Sequence, residues 1–417
     1  MALTANFNDM LNENLHYELL INEAEKRNYL LQRITKVNDW KDTTLVVPFK
    51  GASASSFRMG ALVKDDDISD NEFVRGEVTT QKQIFGAIQF HGADILNHDG
   101  SVNKASFLRN LPDQIDDFMD SFQEVVSINL LNGNNGAYAK LTADSTANDG
   151  NITVDRPERF QIGQKVLVKD SDAGVITGYV KTINMNTNVV NLVTARGGST
   201  VCDFSAGGFE MTTAKGAACY IDGAPTSSFT SLRQQLLSLA NGGDATLFGK
   251  TKLAYPYLQA LNHLGSAITA TNLLAKLFEF QTKTRRIGKG NPTEAWMSYK
   301  HLGSAMAIME TASGPYKNVE TKVSPYGFTE ITVVGVKGQL KLVGIPEMDD
   351  DVIYIVDPSS MKLHSNGFFR KLATPEGLVY TTIRAETGFR FLVDLAFFGD
   401  LVVFKPAVNG VIHTISY

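Results

Sequence analysis

The sequence predicts an α+β fold, and three observations carry that expectation. Period-two apolar alternation dominates residues 43–91 and returns from Phe328 to the end. Helical 3.6-residue periodicity is confined to the segments between, so strands and helices come in runs and not in the βαβα alternation of a nucleotide-binding sheet. Residues 137–224, rich in Asn, Thr, Gly and Val, separate two helical segments and read as a small all-β module.

At 417 residues the chain has length for about three domain-sized units. Hydrophobic residues at 43% and charged residues at 20% leave ample material for a core. The net charge of −5 provides no global basic field, which argues against sequence-specific nucleic-acid binding as the main task. Cys202 and Cys219 are too few for a disulfide framework or a zinc site and read as buried thiols in a reducing compartment. The opening "MALTANFNDMLNENLHYELL" lacks the basic flank and apolar stretch of a signal peptide. No segment approaches the ~18 apolar residues of a membrane span, so the expected place of synthesis is the cytoplasm, with no membrane partner.

Residues 12–36 read as one helix, capped by Asn14, with Leu15, Leu19 and Leu30 as a thin apolar stripe suited to a partner contact. From 43 to 91 the phrases "FRMGALV", "FVRGEV" and "IFGAIQF" predict strands around a Gly/Ala/Ser centre. As a hairpin, each leg would hold about 15 residues and extend about 50 Å. A two-stranded ribbon of that length is marginal alone and exposes both edges. The expectation is that a second copy of the chain supports it.

In "NLPDQIDDFMDSFQEVVSINLLNGNNG", Asn110 precedes Pro112 in a predicted first turn, and Gly133 supplies a stop. Ile115, Phe118, Met119, Phe122 and Val126 share one face at the helical period. Within 137–224, "RFQIGQKVLVKD", "GVITGYVKTI" and "NVVNLVT" predict strands between turns such as "NMNTN" and "RGG". Helices are then predicted in "SSFTSLRQQLLSLANGG", where Phe229, Leu232, Leu236 and Leu239 share a face. They are predicted again in "TNLLAKLFEFQTKTRR" and "PTEAWMSYKHLGSAMAIMETASG". "EITVVGV", "LKLVGI", "VIYIVD", "VYTTIRAE", "FRFLVDLAFF" and "DLVVFKP" predict the closing strands.

No segment of the chain matches a catalytic or ligand-binding motif in full. "GGDATLFGKT" (242–251) has five residues between Gly243 and Gly249 where a phosphate loop needs four, places Asp244 near the would-be phosphate, and follows a helix. A helix stop and turn is the better reading, with a nucleotide-hydrolysing enzyme through Lys250 as the remote alternative. "GASAS" (51–55) ends in Ser55 and precedes no helix, so it fails as a nucleophile elbow. His91 and His98, with Asp94 and Asp99, lack the close spacing of helical metal ligands. The acidic runs "KDDDISDNE" and "EMDDD" fail the calcium-loop pattern and read as solvated turns or as salt-sensitive subunit contacts. "KTRRIGKG" (283–290) places cations at a helix C-terminus, where the dipole favours them, with weak nucleic-acid contact as the alternative. No catalytic residue, cofactor or metal ligand is predicted.

Several phrases in order nonetheless resemble one family. "LVVPFKGASASSFRMGALVKDDD", "FVRGEVTTQKQIFGAIQFHGADI", the helix ending "INLLNGNNG", "GKGNPTEAWMSYKHLGSAMAIM", "IYIVDPSSMKL" and "FFGDLVVFKPAVNGVI" are similar to successive segments of tailed-bacteriophage major capsid proteins. That fold is shared with the herpesvirus capsid floor and with encapsulins. The resemblance implies an N-terminal arm (1–42), an extended loop or E-loop (43–91), and a P-domain with a long spine helix (92–136). An inserted β-rich domain (137–224), an A-domain (225–360) and P-domain return strands (361–417) would follow. It implies hexamers and pentamers of an icosahedral shell around double-stranded DNA, touched non-specifically, in the virion after assembly in the host cytoplasm. A separate scaffolding protein, a portal protein and a decoration protein are the implied partners. An encapsulin-like compartment is the alternative. Candidate inter-subunit contacts are Lys50, Arg58, Lys64, Asp65, Asp66 and Asp67. Some members of the family weld subunits through Lys–Asn isopeptide bonds; Lys50 or Lys64 with Asn366 or Asn409 is the pairing to imagine here, but no carboxylate is positioned beside them and no crosslink is predicted.

Overall fold

The computed structural model describes residues 28–40, 44–50, 73–78, 81–91, 104–132, 137–145, 147–169, 175–204, 211–213, 217–221, 229–239, 243–263, 268–269, 272–288, 290–311, 320–323, 329–335, 338–367, 369–371, 381–385, 388–413 and 415. The fold is α+β. Met1–Leu131 with Leu232–Tyr417 forms one compact unit, and Asn132–Ser231 forms another.

The first unit opens with a short helix α1 (Tyr29–Arg33) and strand β1 (Thr35–Val37). The single helix expected over 12–36 therefore ends at Arg33 among the described residues. Asn28 caps α1 by accepting from the Leu31 amide at 3.1 Å. β-branched Thr35 and Val37 then favour the strand that pairs in parallel with β19 (Met361–His364).

Strands β2 (Leu45–Lys50) and β3 (Phe73–Val78) pair antiparallel through six residues each. Leu45, Val47 and Phe49 turn inward with Val74, against Trp40, Leu247, Phe248, Leu258 and Val402. This corrects the expectation that the ribbon lacks support within its own chain, because one complete apolar face is buried at its base. Residues 51–72 lie outside the described residues. The second correction is to the ribbon's extent. Strand β4 (Lys82–His91) is no hairpin leg: it pairs over ten residues with β22 (Gly388–Val403), from Lys82 opposite Gly399 to His91 opposite Arg390.

The 16-residue β22 joins β19, β20 (Phe369–Lys371), β21 (Thr381–Ala385) and β4, and with β1 beyond β19 they form one six-stranded sheet. Helix α2 (Lys104–Leu131) lies on it, with Phe118 and Phe122 stacked 5.8 Å apart beneath β4. Met119, Phe122 and Val126 are buried, as the periodicity predicts. The predicted start is corrected: α2 begins six residues before Asn110, and Pro112 stands inside it, where it forfeits one backbone hydrogen bond.

A seven-stranded mixed sheet completes this unit. Its order is β13 (Leu261–Asn262), β23 (Gly410–Ile412), β18 (Ile353–Val356), β14 (Glu294–Met297), β17 (Gly338–Gly344), β16 (Thr329–Gly335), β15 (Glu320–Val323). Helices α4 (Leu273–Gly288) and α5 (Tyr299–Thr311) cover one face, with Leu277, Phe280 and Leu302 against Ala295, Met297, Ile353 and Ile355. "EAWM" was expected to be helical. It is the strand β14, fully buried, because both neighbouring strands supply it with a ladder. The helix expected from 227 is only α3 (Leu232–Leu236), and Leu239 is 67% exposed instead of sharing its face.

The second unit is a six-stranded antiparallel sheet, in order β5 (Ala137–Lys140), β10 (Ala218–Ile221), β7 (Lys165–Lys169), β8 (Val175–Asn184), β9 (Val189–Val193), β6 (Asn151–Thr153). Leu141, just past β5, bridges Val154, just past β6, so the first and last strands meet and close the sheet into a small barrel. Closure removes the free edges that an open sheet must otherwise protect. Val166, Val168, Val180, Val190 and Leu192 fill its interior. Cys202 and Cys219 are both buried free thiols, and burial raises the pKa of each.

Candidate functional site

The one sequence-predicted contact residue within the described set is Lys50. Arg58, Lys64, Asp65, Asp66 and Asp67 lie outside it, as do the "GASAS" segment, His98, Asp94 and Asp99. Lys50 ends β2, and its ammonium stands over the Tyr257 ring, 5.4 Å from the centroid. Both residues line a cleft of about 650 Å³ together with Asn291, Asp357, Phe404 and Lys405. Lys362 projects its own ammonium over the Phe404 ring at 5.5 Å. These cations rest on aromatic faces, a favourable arrangement. The Asp357 carboxylate caps a turn, accepting from the Ser359 amide at 3.0 Å and the Ser359 hydroxyl at 2.7 Å. Asn409 beneath is fully buried and bonded to Ser360 and to the Asp357 amide.

Three buried polar clusters were not predicted from the sequence; the first two join residues more than a hundred positions apart. The first anchors α1. Glu294 on β14 is completely buried and accepts from Trp296 Nε1 at 2.9 Å, Tyr29 Oη at 3.3 Å and Arg33 Nε at 2.6 Å. Arg33 also forms an ion pair with it. Burial and the adjacent Glu294 charge raise the Tyr29 pKa well above the ordinary phenol value. Asn28 adds a 3.4 Å bond to Glu347.

The second lies in "EMDDD". Asp351 receives both guanidinium nitrogens of Arg233 at 2.8 Å, and Asp349 stands 3.7 Å away. The bidentate geometry outweighs the cost of burying the guanidinium and raises its pKa. The sequence predicts solvated turns here, yet Glu347 and Asp349 are buried.

The third decides the "GGDATLFGKT" question. β11 (Thr246–Leu247) and β12 (Lys250–Thr251) form a tight hairpin, with Phe248 and Gly249 at φ of 52° and 73°. A 3₁₀ turn follows in place of the helix that a phosphate loop requires. The buried cation here is Lys252, whose ammonium donates to the carbonyls of Gln234 at 2.6 Å and Leu237 at 3.1 Å, closing the end of α3. Burial lowers its pKa to about 8, opposed by Asp244. In the basic cluster, Lys283 pairs with Glu279 one turn back on α4.

Among the described residues, no group of three His, Cys, Asp or Glu side chains is arranged to hold a metal ion. No helix among them is long and apolar enough to cross a membrane. No protein-family model and no curated protein matches the chain. Solved structures do. The capsid asymmetric unit of cyanophage A-1(L) is 12% identical with a TM-score of 0.48, over 93% of this chain and 92% of that one. The structure of Mycobacterium phage Adephagia is 10% identical with a TM-score of 0.42, over 94% and 90%. The holo-SrpI encapsulin complex from Synechococcus elongatus is 9% identical with a TM-score of 0.40, over 93% and 87%.

Proposed function

We propose that this chain is the subunit of a closed protein shell, a phage-type major capsid protein whose work is mechanical. The observation that carries the reading is the order and pairing of elements in the first unit. A hairpin (β2, β3) is followed by a strand (β4) that joins the C-terminal strand β22. The 28-residue helix α2 lies beneath this ladder, and a separate seven-stranded sheet with two helices on one face completes the unit. The reading takes the hairpin as part of the extended loop, α2 as the spine helix, the seven-stranded sheet as the centre of the A-domain and β22 as a returning strand.

In this reading hexamers and pentamers close an icosahedral head around double-stranded DNA, and the net charge of −5 keeps the wall from adhering to its contents. Scaffolding, portal and decoration proteins are its partners, and Lys50 together with the 58–67 run contributes contacts between subunits. Negative-stain microscopy of the overexpressed chain, with and without its genomic neighbours, is the test. Closed particles are expected, whereas a chain that stays monomeric at every concentration and salt would overturn the reading. Nuclease-protected DNA inside such particles distinguishes a virion shell from a compartment holding protein cargo.

A further inference from the structure

We infer that His413 is an acid trigger set against the Arg233–Asp351 clasp: as an imidazolium it opposes the Arg233 guanidinium and draws the Asp351 carboxylate away, releasing α3 from the turn 347–351. The device lies within one chain and goes beyond the shell reading.

Arg233 of α3 gives both terminal nitrogens to Asp351 at 2.8 Å, with Asp349 3.7 Å away. Its Nε is buried without an acceptor, so the guanidinium depends on these two aspartates. The Asp351 side chain is 41% exposed and that of Arg233 only 11%, so the carboxylate has room to swing and the cation has not. His413 directly follows β23 and is half-buried, and its Nδ1 is buried with no hydrogen-bond partner. Three groups act on that ring: Arg233 from α3, Asp351 from the turn and His263 from the end of β13. A proton on His413 is therefore opposed by Arg233 and His263 and favoured by Asp351. The bidentate pair already commits that carboxylate to Arg233. A second cation beside Arg233 must take its counter-charge from the same group, and the clasp opens.

Burial holds the His413 pKa below the ordinary 6.5, with Arg233 acting in the same direction and Asp351 against it. A ring neutral in the fold that takes a proton near pH 6.5 once released stabilises the closed state fully above 6.5. That contribution is lost as pH falls from 6.5 toward the folded value. His301 of α5 acts on the same turn. It is buried, its Nε2 meets the Asp350 carbonyl at 2.7 Å, and burial lowers its pKa although Asp350 opposes the shift. Other ties of α3 have no proton to gain in this range. Gln235 bonds the Leu401 carbonyl and the Val403 amide of β22, and Asn262 donates to the Leu236 carbonyl. Acid therefore loosens the turn and leaves α3 seated on β22.

Hydrogen–deuterium exchange of the full-length chain, expressed as protection factors at pH 7.5 and pH 5, is the test. The expected result is an about tenfold loss of protection at pH 5 in peptides covering 229–239 and 345–352, with β7 to β9 unchanged. His413→Gln and His413→Asn, which keep the position neutral, are expected to retain protection at pH 5. Asp351→Asn is expected to show the loss already at pH 7.5 and no more of it at pH 5. Equal protection at both pH values in the parent chain would overturn the inference. So would a loss that persists in His413→Gln, which would place the trigger in another group such as His301. Should both His413 variants fail to fold, Asp351→Asn decides, since an acid loss as large as the parent's in that variant also overturns the inference.

Discussion

Gly86 of β4 lies so close to Phe118 of α2 that a Cβ added to the glycine would stand 2.7 Å from the ring Cζ, and 2.9 Å from Phe122 Cδ2. The strand and the long helix meet at this point because one side chain is missing. The β4–β22 ladder rests on α2 through that contact.

Gly86→Ala is therefore expected to destabilise the chain by about 1–3 kcal/mol, the usual cost of overpacking a filled core. Urea unfolding of the purified chain measures it, and Phe118→Leu in the same chain is expected to recover part of the loss by opening room for the methyl group.

Glu294→Gln removes the charge that Arg33 and Tyr29 both engage. Breaking a buried pair costs about 3–5 kcal/mol when the surviving charge is trapped. Arg33 is half exposed, so solvent reclaims it and the expected loss is nearer 1–2 kcal/mol. The distinguishing readout is local: limited proteolysis is expected to cut at 28–37 in the variant well before the rest of the unit opens.

Alkaline pH is expected to weaken the first unit through Tyr29 and Tyr354. Burial raises both phenols above the ordinary value of 10, and Tyr354 also donates to the Leu131 carbonyl at 3.2 Å. A phenol that keeps its proton in the fold but loses it when unfolded stabilises the native state fully below pH 10. That contribution is lost as pH rises above 10. Absorbance at 295 nm should show two tyrosines ionising only with unfolding, and Tyr354→Phe should make the alkaline loss shallower.

The fragment 132–231 is expected to fold alone. The Leu141–Val154 bridge leaves its sheet without an open edge, and its core is filled from within the barrel. Cooperative thermal unfolding by circular dichroism checks this. Cys219 should resist a thiol reagent until the transition, since it is buried with a raised pKa.

What the sequence by itself determined was local: which residues alternate, which repeat every 3.6 positions, and hence the α+β class, the buried face of α2 at Met119, Phe122 and Val126, and strands β7, β8 and β9 of the second unit. Asp244 and the five-residue gap between Gly243 and Gly249 speak against a phosphate loop in the sequence alone, and the β11–β12 hairpin agrees. Only the tertiary structure decided that β4 leaves the hairpin for β22, that "EAWM" is a strand, that α2 starts ahead of Pro112, and that Glu294 meets an arginine 261 residues away. The reason is physical. Periodicity records which face of a segment is apolar, but strand partners and buried charges are settled by whichever distant segment completes the ladder or neutralises the carboxylate, and that choice leaves no trace in local spacing.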